Sequence, residues 1–241
     1  MTISMKGFLS RVYSKYHSNF VLNNPPRQWR PQWLPKWVTL RSEATIHPHT
    51  LEEYADLFLA YDIGSTEIEV LNWLYASVCL LKPQSILETG TCKGLGTIAL
   101  ATACKANGLG KVYSIEIEKS LHEAAVQRVC EEGLSQFTTL YCQDSRNFLL
   151  NTNLSFDFAF FDSECEIRIE EFRICRERGI LKGVAIFHDT SPTRTLTMKD
   201  LPGEPWHSKY REMIYELAKD PMTTGYFESK LSRGMIALFL K

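Results

Sequence analysis

The stretch from residue 86 to 97 constrains this chain more than any other part of its sequence. It begins as an apolar strand, passes through a turn that holds Gly90, Gly94 and Gly96, and ends as an apolar helix starting near Leu95. Glycine lets the backbone turn sharply and approach a ligand without an intervening side chain. A strand, a glycine-rich turn and a helix N-terminus in this order are typical of a cofactor cradle.

The spacing of the acid and the glycines in this turn limits which ligands it could bind. It is acid-x-Gly-x-x-x-Gly-x-Gly, with Glu88 as the acid, and it differs from the fingerprints of dinucleotide-binding folds and P-loops. The Glu88 carboxylate would repel a pyrophosphate, and it suits a cationic ligand such as the sulfonium and amino group of S-adenosylmethionine. A glycine-rich turn without a ligand is the alternative that the motif alone leaves open.

Apolar segments of strand and helix character alternate along the chain. Strands are predicted at 85–88, 111–116, 137–142, 157–161 and 184–188, and helices at 95–107, 119–132, 145–150 and 166–178. This alternation is typical of parallel strands joined by crossover helices, so it predicts an α/β, doubly wound sheet with helices on both faces. After a helix at 207–219, two strands at 225–231 and 234–240 follow without a helix between them, which predicts an antiparallel last strand.

Charge divides the chain into a basic head and an acidic body. Residues 1–41 hold seven lysine or arginine residues and no acidic residue, although the whole chain of 241 residues has a net charge of −1. We therefore predict an N-terminal arm over 1–49 and one α/β domain over 50–241. The nearly neutral total charge gives no field that would favour nucleic acid as a partner.

The basic head has the features of an arm. Phe8, Val12 and Tyr16 fall on one helical face, while Pro31 and Pro35 exclude a continuous helix through the tryptophans of this region. We expect a strap that packs on the acidic body or joins two copies into a homodimer. A helix on an anionic membrane, which we do not favour, a transit peptide and a disordered segment are the alternatives.

Composition also bears on the compartment. The seven cysteines form no Cys-x-x-Cys pair and no cysteine–histidine cluster at zinc spacing, which indicates reduced thiols and a cytoplasmic protein. No apolar run reaches the roughly 18 residues of a membrane span, and the first residues lack the apolar core of a secretory signal.

An acidic residue stands at or just after the end of each of five consecutive predicted strands. These residues are Glu88, Glu116, Asp144, Asp162 and Asp189. The carboxyl ends of parallel strands meet at one edge of the sheet, where open α/β folds bind ligands, so we expect one acidic ligand-binding edge. For any single acid, a solvated loop residue or a helix cap is the alternative.

Position along the sheet suggests a role for individual residues. The Glu116 carboxylate, opposite the glycine turn, can accept hydrogen bonds from both hydroxyls of a ribose, and Asp144 beside Ser145 can reach the exocyclic amine of an adenine. The predicted cofactor-binding residues are Glu88, Gly90, Thr91, Gly94, Glu116, Ile117, Asp144, Ser145 and Asp162.

The last two acids predict the chemistry. Asp162 and Asp189 end neighbouring strands, and two close carboxylates repel each other unless a divalent cation or a shared proton intervenes. Oxygen ligands suit Mg²⁺ or Mn²⁺, which could hold a substrate hydroxyl and lower its pKa. We predict His188 and Asp189 as catalytic, with His188 as proton acceptor or metal ligand. A buried histidine with a satisfied hydrogen bond, and an acid pair without metal, are the alternatives.

Four motifs in this order resemble class I S-adenosylmethionine-dependent methyltransferases, specifically the small-molecule O-methyltransferases of the catechol and macrocin types. They are the segments 86–100, 112–116, 156–162 and 187–190. The resemblance covers about residues 60–241 and implies a seven-stranded Rossmann-like sheet with the cofactor over its first four strands.

In the family, Glu88 and Gly90 correspond to positions near the methionine part, Glu116 to a ribose-binding acid and Asp144 to a residue near adenine. The metal-dependent branches use the positions of Asp162 and Asp189 as metal ligands. The chain departs from the family pattern where Thr190 follows Asp189, in place of asparagine or aspartate, and where 162–165 reads Asp-Ser-Glu-Cys instead of Asp-x-x-His.

The sequence therefore predicts an O-methyltransferase that acts on a small molecule. Two alternatives remain at this point. One is a binding or assembly protein whose cofactor site is degenerate, and the other is a metal-dependent enzyme of a different reaction on the same scaffold.

Overall fold

The computed structural model describes residues 33–35, 66–190, 206–229 and 233–241, without the side chains of 206–208. The chain divides into two compact units, Met1–Leu34 and Pro35–Lys241, and every element below belongs to the second. Most of the predicted arm over 1–49 lies outside the described residues, and the boundary near residue 50 stays a prediction.

The described residues form seven strands and six α-helices. The strands are β1 Ser85–Thr89, β2 Lys111–Glu116, β3 Thr138–Cys142, β4 Phe156–Phe161, β5 Leu181–His188, β6 Thr223–Ser229 and β7 Met235–Leu240. The helices are α1 Ile68–Leu81, α2 Leu95–Asn107, α3 Lys119–Glu131, α4 Ser145–Asn151, α5 Cys165–Glu177 and α6 Trp206–Ala218. Among these helices, none has the length and apolar character to cross a membrane.

The strands form one sheet in the order β3-β2-β1-β4-β5-β7-β6. β7 runs antiparallel to both of its neighbours, and the other pairs are parallel. The predicted doubly wound, mostly parallel, seven-stranded sheet with an antiparallel last strand is confirmed. Strand order reverses between β1 and β4, which is the point where open α/β sheets bind ligands.

The centre of the sheet is apolar on both faces, as a parallel strand covered by helices requires. Phe158 and Phe160 of β4 are fully buried on one face of the sheet, and Ala159 and Phe161 are fully buried on the other. On the latter face Phe161 stacks on Phe187 of β5 at a centroid distance of 5.3 Å, and Phe172 of α5 meets Phe187 edge-on at 5.4 Å. This aromatic contact seats α5 against β4 and β5, so the first turns of α5 lie near the carboxyl edge of the sheet.

Two local features differ from what the sequence suggests. β5 begins at Leu181 and not at 184, because its first residues pair with the start of β4. Thr66 and Glu69 have the spacing of a helix capping box, yet α1 begins without a side-chain cap. The Thr66 hydroxyl instead donates to Asp162 Oδ2 at 2.8 Å, which draws the start of α1 to the carboxyl end of β4.

Candidate active site

A cavity of about 550 Å³ opens at the carboxyl edge of the sheet, beside the ends of β1, β2 and β4. Nine of the predicted site residues line it: Glu88, Gly90, Thr91, Glu116, Ile117, Asp144, Ser145, Asp162 and Asp189. Gly94 and His188 do not line this cavity. The acids that follow five successive parallel strands are thus brought to one place, while their individual roles stay predictions.

Gly90 allows the glycine turn to lie directly against the end of β4. Its φ is +82°, and a Cβ at this position would lie 2.2 Å from the carbonyl oxygen of Asp162. A side chain therefore cannot fit between the ends of β1 and β4. Gly94 begins α2 from a left-handed conformation and packs against Ala125 of α3.

Glu88 is buried beneath the turn, in space that Gly96 leaves open. A Cβ on Gly96 would lie 2.3 Å from Glu88 Oε1. The Oε2 atom accepts hydrogen bonds from the hydroxyls of Thr97 and Ser114, the latter at 2.6 Å. Burial raises the pKa of Glu88 to about 8, although the two hydroxyls lower it. The carboxyl is therefore mostly protonated at neutral pH.

Glu116 presents its carboxylate at the wall of the cavity with both oxygens anchored. Oε2 accepts from the backbone N–H of Cys92 at 2.7 Å and Oε1 from that of Glu118 at 2.9 Å. A carboxylate oxygen can accept a second hydrogen bond, so this geometry suits the pair of hydroxyls of a ribose. The adjoining Ile117 side chain is 68% exposed at the cavity and offers it an apolar surface.

Asp144 serves the local structure as the cap of α4. Its Oδ1 accepts from the backbone N–H of Asn147 at 3.0 Å, and its Oδ2 lies 3.0 Å from the Arg146 guanidinium. The hydrogen bond from Arg146 is the main reason that the pKa of Asp144 lies below its usual range. The helix-cap alternative therefore accounts for the contacts of Asp144, and its role near adenine stays a prediction.

A further buried acid, Glu171 of α5, was not predicted from the sequence. It accepts hydrogen bonds from Thr89 at the end of β1 and Ser163 after β4, both at 2.8 Å, and from Ser145 at the start of α4. Burial raises the pKa of Glu171. One carboxyl group thus holds three segments of the cavity floor together.

His188 lies between two carboxylates and is fully buried. Its Nδ1 is 2.6 Å from Asp162 Oδ1 and its Nε2 is 2.8 Å from Glu67 Oε2. Burial lowers the pKa of His188, but Asp162 and Glu67 outweigh that effect and bring the pKa to about 9. The ring is therefore a cation at neutral pH that donates from both nitrogens. This arrangement does not support the predicted role of His188 as proton acceptor.

Two arginines bind the same carboxylates. Arg168 Nη2 lies 3.2 Å from Asp162 Oδ1 and 3.1 Å from Asp189 Oδ2. Arg233 binds Asp189 through two nitrogens, with Nε 2.6 Å from Oδ1 and Nη2 2.9 Å from Oδ2. The backbone N–H of Arg233 donates to Glu67 Oε1 at 3.0 Å, which closes the chain of contacts.

We call this closed set of contacts the ion ring. Its members are Glu67, Asp162, Arg168, His188, Asp189 and Arg233. Acids and bases alternate around it, three of each, so their charges cancel. Such pairing is what allows charged groups to be buried.

The ion ring bears on the predicted metal site at Asp162 and Asp189. Together with His188 these residues offer ligand atoms that lie within 4.8 Å of one another, which is a spacing that a metal ion could use. Two guanidinium groups and a cationic imidazole, however, already bind these atoms. A divalent cation would have to displace them, so the residues as arranged do not fit the predicted Mg²⁺ or Mn²⁺.

The charged residues that were not predicted from the sequence differ in whether a local pattern could have indicated them. Arg168 and Glu171 share the buried face of α5 with Phe172 and Cys175. Charged residues on an otherwise apolar helical face are a signal that could have pointed to them. Glu67 and Arg233 carry no such signal, because only the tertiary structure brings them together across 166 residues.

Residues 87–190 match a family model that is described as a methyltransferase domain. This stretch is similar to known methyltransferase domains. It runs from β1 to Thr190, and it includes the glycine turn and the five acids that follow successive strands. The resemblance of the four sequence motifs is thereby confirmed. No curated protein matches the chain.

Solved structures share the fold of this stretch and of its flanking elements. The O-methyltransferase TomG of Streptomyces achromogenes, solved with SAM, is 21% identical over 81% of this chain and 91% of its own, with a TM-score of 0.62. A Bacillus cereus O-methyltransferase with SAH is 20% identical over 81% and 92%, with a TM-score of 0.61. SAH-bound PaMTH1 of Podospora anserina is 14% identical over 100% and 98%, with a TM-score of 0.64. At these identities the likeness establishes the fold.

Proposed function

We propose that this chain is an S-adenosylmethionine-dependent methyltransferase that acts on a hydroxyl oxygen of a small molecule. The observation that carries the proposal is the cavity at the carboxyl edge of the sheet. There the glycine turn packs against the end of β4, and two backbone N–H groups fix the orientation of the Glu116 carboxylate. Solved structures of this fold that hold SAM or SAH support the cofactor, and those described as O-methyltransferases support an oxygen acceptor.

The cavity offers a matching surface to each part of the cofactor. Glu88 and the turn at Gly90 would contact the methionine part, and an ionised Glu88 would attract its positive charge. The anchored oxygens of Glu116 suit the ribose hydroxyls, and the exposed side chain of Ile117 suits the face of the adenine. Thr91 lines the floor, where its hydroxyl bonds that of Ser114.

The main contribution of the chain to the reaction is to position the two reactants. When bound, S-adenosylmethionine supplies a methyl group on a positively charged sulfur. The acceptor oxygen has to approach this carbon in line with the bond that breaks, and a walled cavity favours that approach by restricting both reactants. Asp162 and Asp189, at the ends of β4 and β5, line the same cavity and would border the acceptor.

Calorimetry with S-adenosylmethionine tests the proposal directly. We expect saturable binding, and we expect Glu116→Ala to weaken it by about 1–3 kcal/mol because a charged hydrogen-bond acceptor is lost. Glu123→Ala is the matched control, since Glu123 is an exposed glutamate of α3 outside the cavity lining. Failure of the unmodified protein to bind would contradict the proposal and would favour the binding or assembly alternative.

Formation of product tests the acceptor. A panel of small molecules with hydroxyl groups is incubated with the protein and S-adenosylmethionine, and the methylated product is identified by mass spectrometry. Methylation at carbon or nitrogen only would contradict the proposed oxygen specificity. The homodimer through the 1–49 arm, the absence of a nucleic-acid partner and the cytoplasmic location stay predictions.

A further inference from the structure

The ion ring fills the place at which the sequence predicts a divalent cation. The four carboxylate oxygens of Asp162 and Asp189 accept hydrogen bonds from Thr66, His188, Arg168 and Arg233. Two of these donors, the guanidinium groups of Arg168 and Arg233, carry positive charges that match those of the two carboxylates. The acid pair is therefore already neutralised by groups of the chain itself.

We propose that the guanidinium of Arg233, held by Asp189, supplies the positive charge of the predicted divalent cation, so that methyl transfer by this chain needs no metal. The inference rests on the proposed function and concerns the same cavity. It assigns to Arg233 a contact with the acceptor oxygen, a role that the sequence analysis gave to a metal ion.

Charge balance argues for this assignment. A divalent ion added here would bring two positive charges to a pair of carboxylates that two guanidinium groups already neutralise. It would also need the carboxylate oxygens that Arg168 and Arg233 hold, and removal of one partner from a buried ion pair is strongly unfavourable. Binding of the metal would thus compete with contacts that hold β4, β5 and the start of β7 together.

Of the two guanidinium groups, Arg233 has the better position to meet a substrate. Both arginines line the cavity, but the side chain of Arg233 is 12% exposed, whereas that of Arg168 is 4% exposed. Arg168 also donates to the carbonyl oxygens of Ser163 and His188, both at 2.7 Å. Arg168 therefore stabilises the ion ring, and Arg233 is the guanidinium group of the ring that a bound substrate can reach.

Arg233 is oriented at both its backbone and its side chain. Glu67 accepts from the backbone N–H, and Asp189 accepts from Nε and Nη2. A charge that is fixed before the reaction stabilises a developing negative charge without the cost of reorganisation. Arg233 would thus favour the electron-rich form of the acceptor oxygen.

The reaction balances without a metal. The acceptor hydroxyl loses its proton to water, its oxygen forms a bond to the methyl carbon, and the bond between sulfur and that carbon breaks. The electron pair of the broken bond remains on sulfur, which becomes a neutral thioether. Arg233 keeps its protons throughout and acts only through its charge and hydrogen bonds.

Titration with Mn²⁺ gives a readout that does not depend on activity. The unmodified protein, with and without S-adenosylmethionine, is titrated in a calorimeter, and free Mn²⁺ is followed by electron paramagnetic resonance. We expect no saturable binding at the ion ring and no change in turnover when a chelator is added. Saturable Mn²⁺ binding that Asp189→Asn abolishes, or turnover that a chelator stops and Mg²⁺ or Mn²⁺ restores, would overturn the inference.

Arg233→Gln tests the arginine itself. We expect kcat/KM for the acceptor to fall by about a hundredfold, while the affinity for S-adenosylmethionine stays within the range of the unmodified protein. Arg233→Lys, which keeps the charge but loses the paired contact, should recover part of the rate. Arg211→Gln is the matched control, because Arg211 pairs with Glu228 outside the cavity lining.

The outcomes separate the two proposals. If S-adenosylmethionine does not bind, the proposed function fails. If it binds and turnover is unchanged in Arg233→Gln, or requires a metal, the proposed function stands and the role of Arg233 is wrong. A folded Arg233→Lys variant keeps the test valid if Arg233→Gln does not fold.

Discussion

His188 Nε2 lies 2.8 Å from Oε2 of Glu67, a residue 121 positions earlier in the chain, and both side chains are buried. The contact joins the end of β5 to the residue that precedes α1. Together with Asp162 on the other ring nitrogen, it makes His188 a structural cation at the carboxyl edge of the sheet. The charged and buried groups at this edge determine how the stability and ligand binding of the protein respond to pH and to substitution.

The stability of the protein should fall as pH rises toward 9. Asp162 and Glu67 raise the pKa of His188 from 6.5 to about 9 in the folded state. Stabilisation by the charged ring is therefore complete below pH 6.5 and is lost as pH passes through 9, with a total on the order of 3 kcal/mol. Urea unfolding across this pH range measures the effect.

The control for the urea unfolding experiment removes Glu88, a second group whose ionisation changes the stability of the protein with pH. Glu88 also makes the protein less stable as pH rises, because its pKa is raised from 4.5 to about 8 on folding, so the unfolded chain ionises over this range while the folded protein keeps the proton. The series is therefore run in Glu88→Gln, with and without His188→Gln. A slope above pH 8 that persists in the double variant would show that His188 is not its source.

Glu88 should make the discrimination between S-adenosylmethionine and its product depend on pH. Below pH 8 the carboxyl is mostly neutral and does not distinguish the two molecules by charge, whereas above pH 8 its charge favours the sulfonium. We expect the ratio of the two affinities, measured by calorimetry, to rise with pH. In Glu88→Gln the ratio should stay flat, and a rise of the same size in that variant would contradict the assignment.

Gly90→Ala should destabilise the fold much more than Gly108→Ala. Both glycines have positive φ, +82° and +68°, so both substitutions carry a similar backbone cost of about 1–2 kcal/mol. Only at Gly90 would the new methyl group meet a backbone atom, the Asp162 carbonyl oxygen at 2.2 Å, whereas nothing lies within 4 Å at Gly108. We expect at least about 2 kcal/mol of additional loss in urea unfolding, and equal losses would contradict the close packing of β1 on β4.

Glu171→Leu should destabilise the protein by roughly 2–4 kcal/mol. The change removes the common acceptor of three buried or partly buried hydroxyls, those of Thr89, Ser145 and Ser163. Thermal or urea unfolding measures the loss, and Glu171→Gln should retain part of the stability because its amide oxygen still accepts. Glu170→Leu, at an exposed neighbouring position of α5, should stay within about 0.5 kcal/mol of the unmodified protein.

The fold could be predicted closely because its signals are local. Glycines at 90 and 94 mark the turn between β1 and α2, and the apolar runs of β4 and β5 are typical of buried parallel strands. Element ends agree with the prediction or differ from it by at most three residues. The start of β5 at Leu181 depends on pairing with β4, which no local pattern reveals.

The cavity was predicted from topology as well as from residues. The carboxyl ends of parallel strands lie at one edge of the sheet, so acidic residues that follow these strands in the sequence are neighbours in the structure. Glu116 and Asp162 were found in this way. The same rule cannot show whether an acid faces a ligand or caps a helix, and Asp144 proves to cap α4.

Sequence alone determined the doubly wound sheet, its antiparallel last strand and the acidic edge, because periodicity, glycine positions and strand order are properties of neighbouring residues. Only the tertiary structure decided which groups neutralise the carboxylates of Asp162 and Asp189 at that edge of the sheet. Glu67, Arg168 and Arg233 come from three separate segments, and their distances to His188 and Asp189 arise only when α1, α5 and β7 pack on the sheet. The electrostatic state of a buried group depends on all charges within a few ångströms, and those charges are seldom close in sequence.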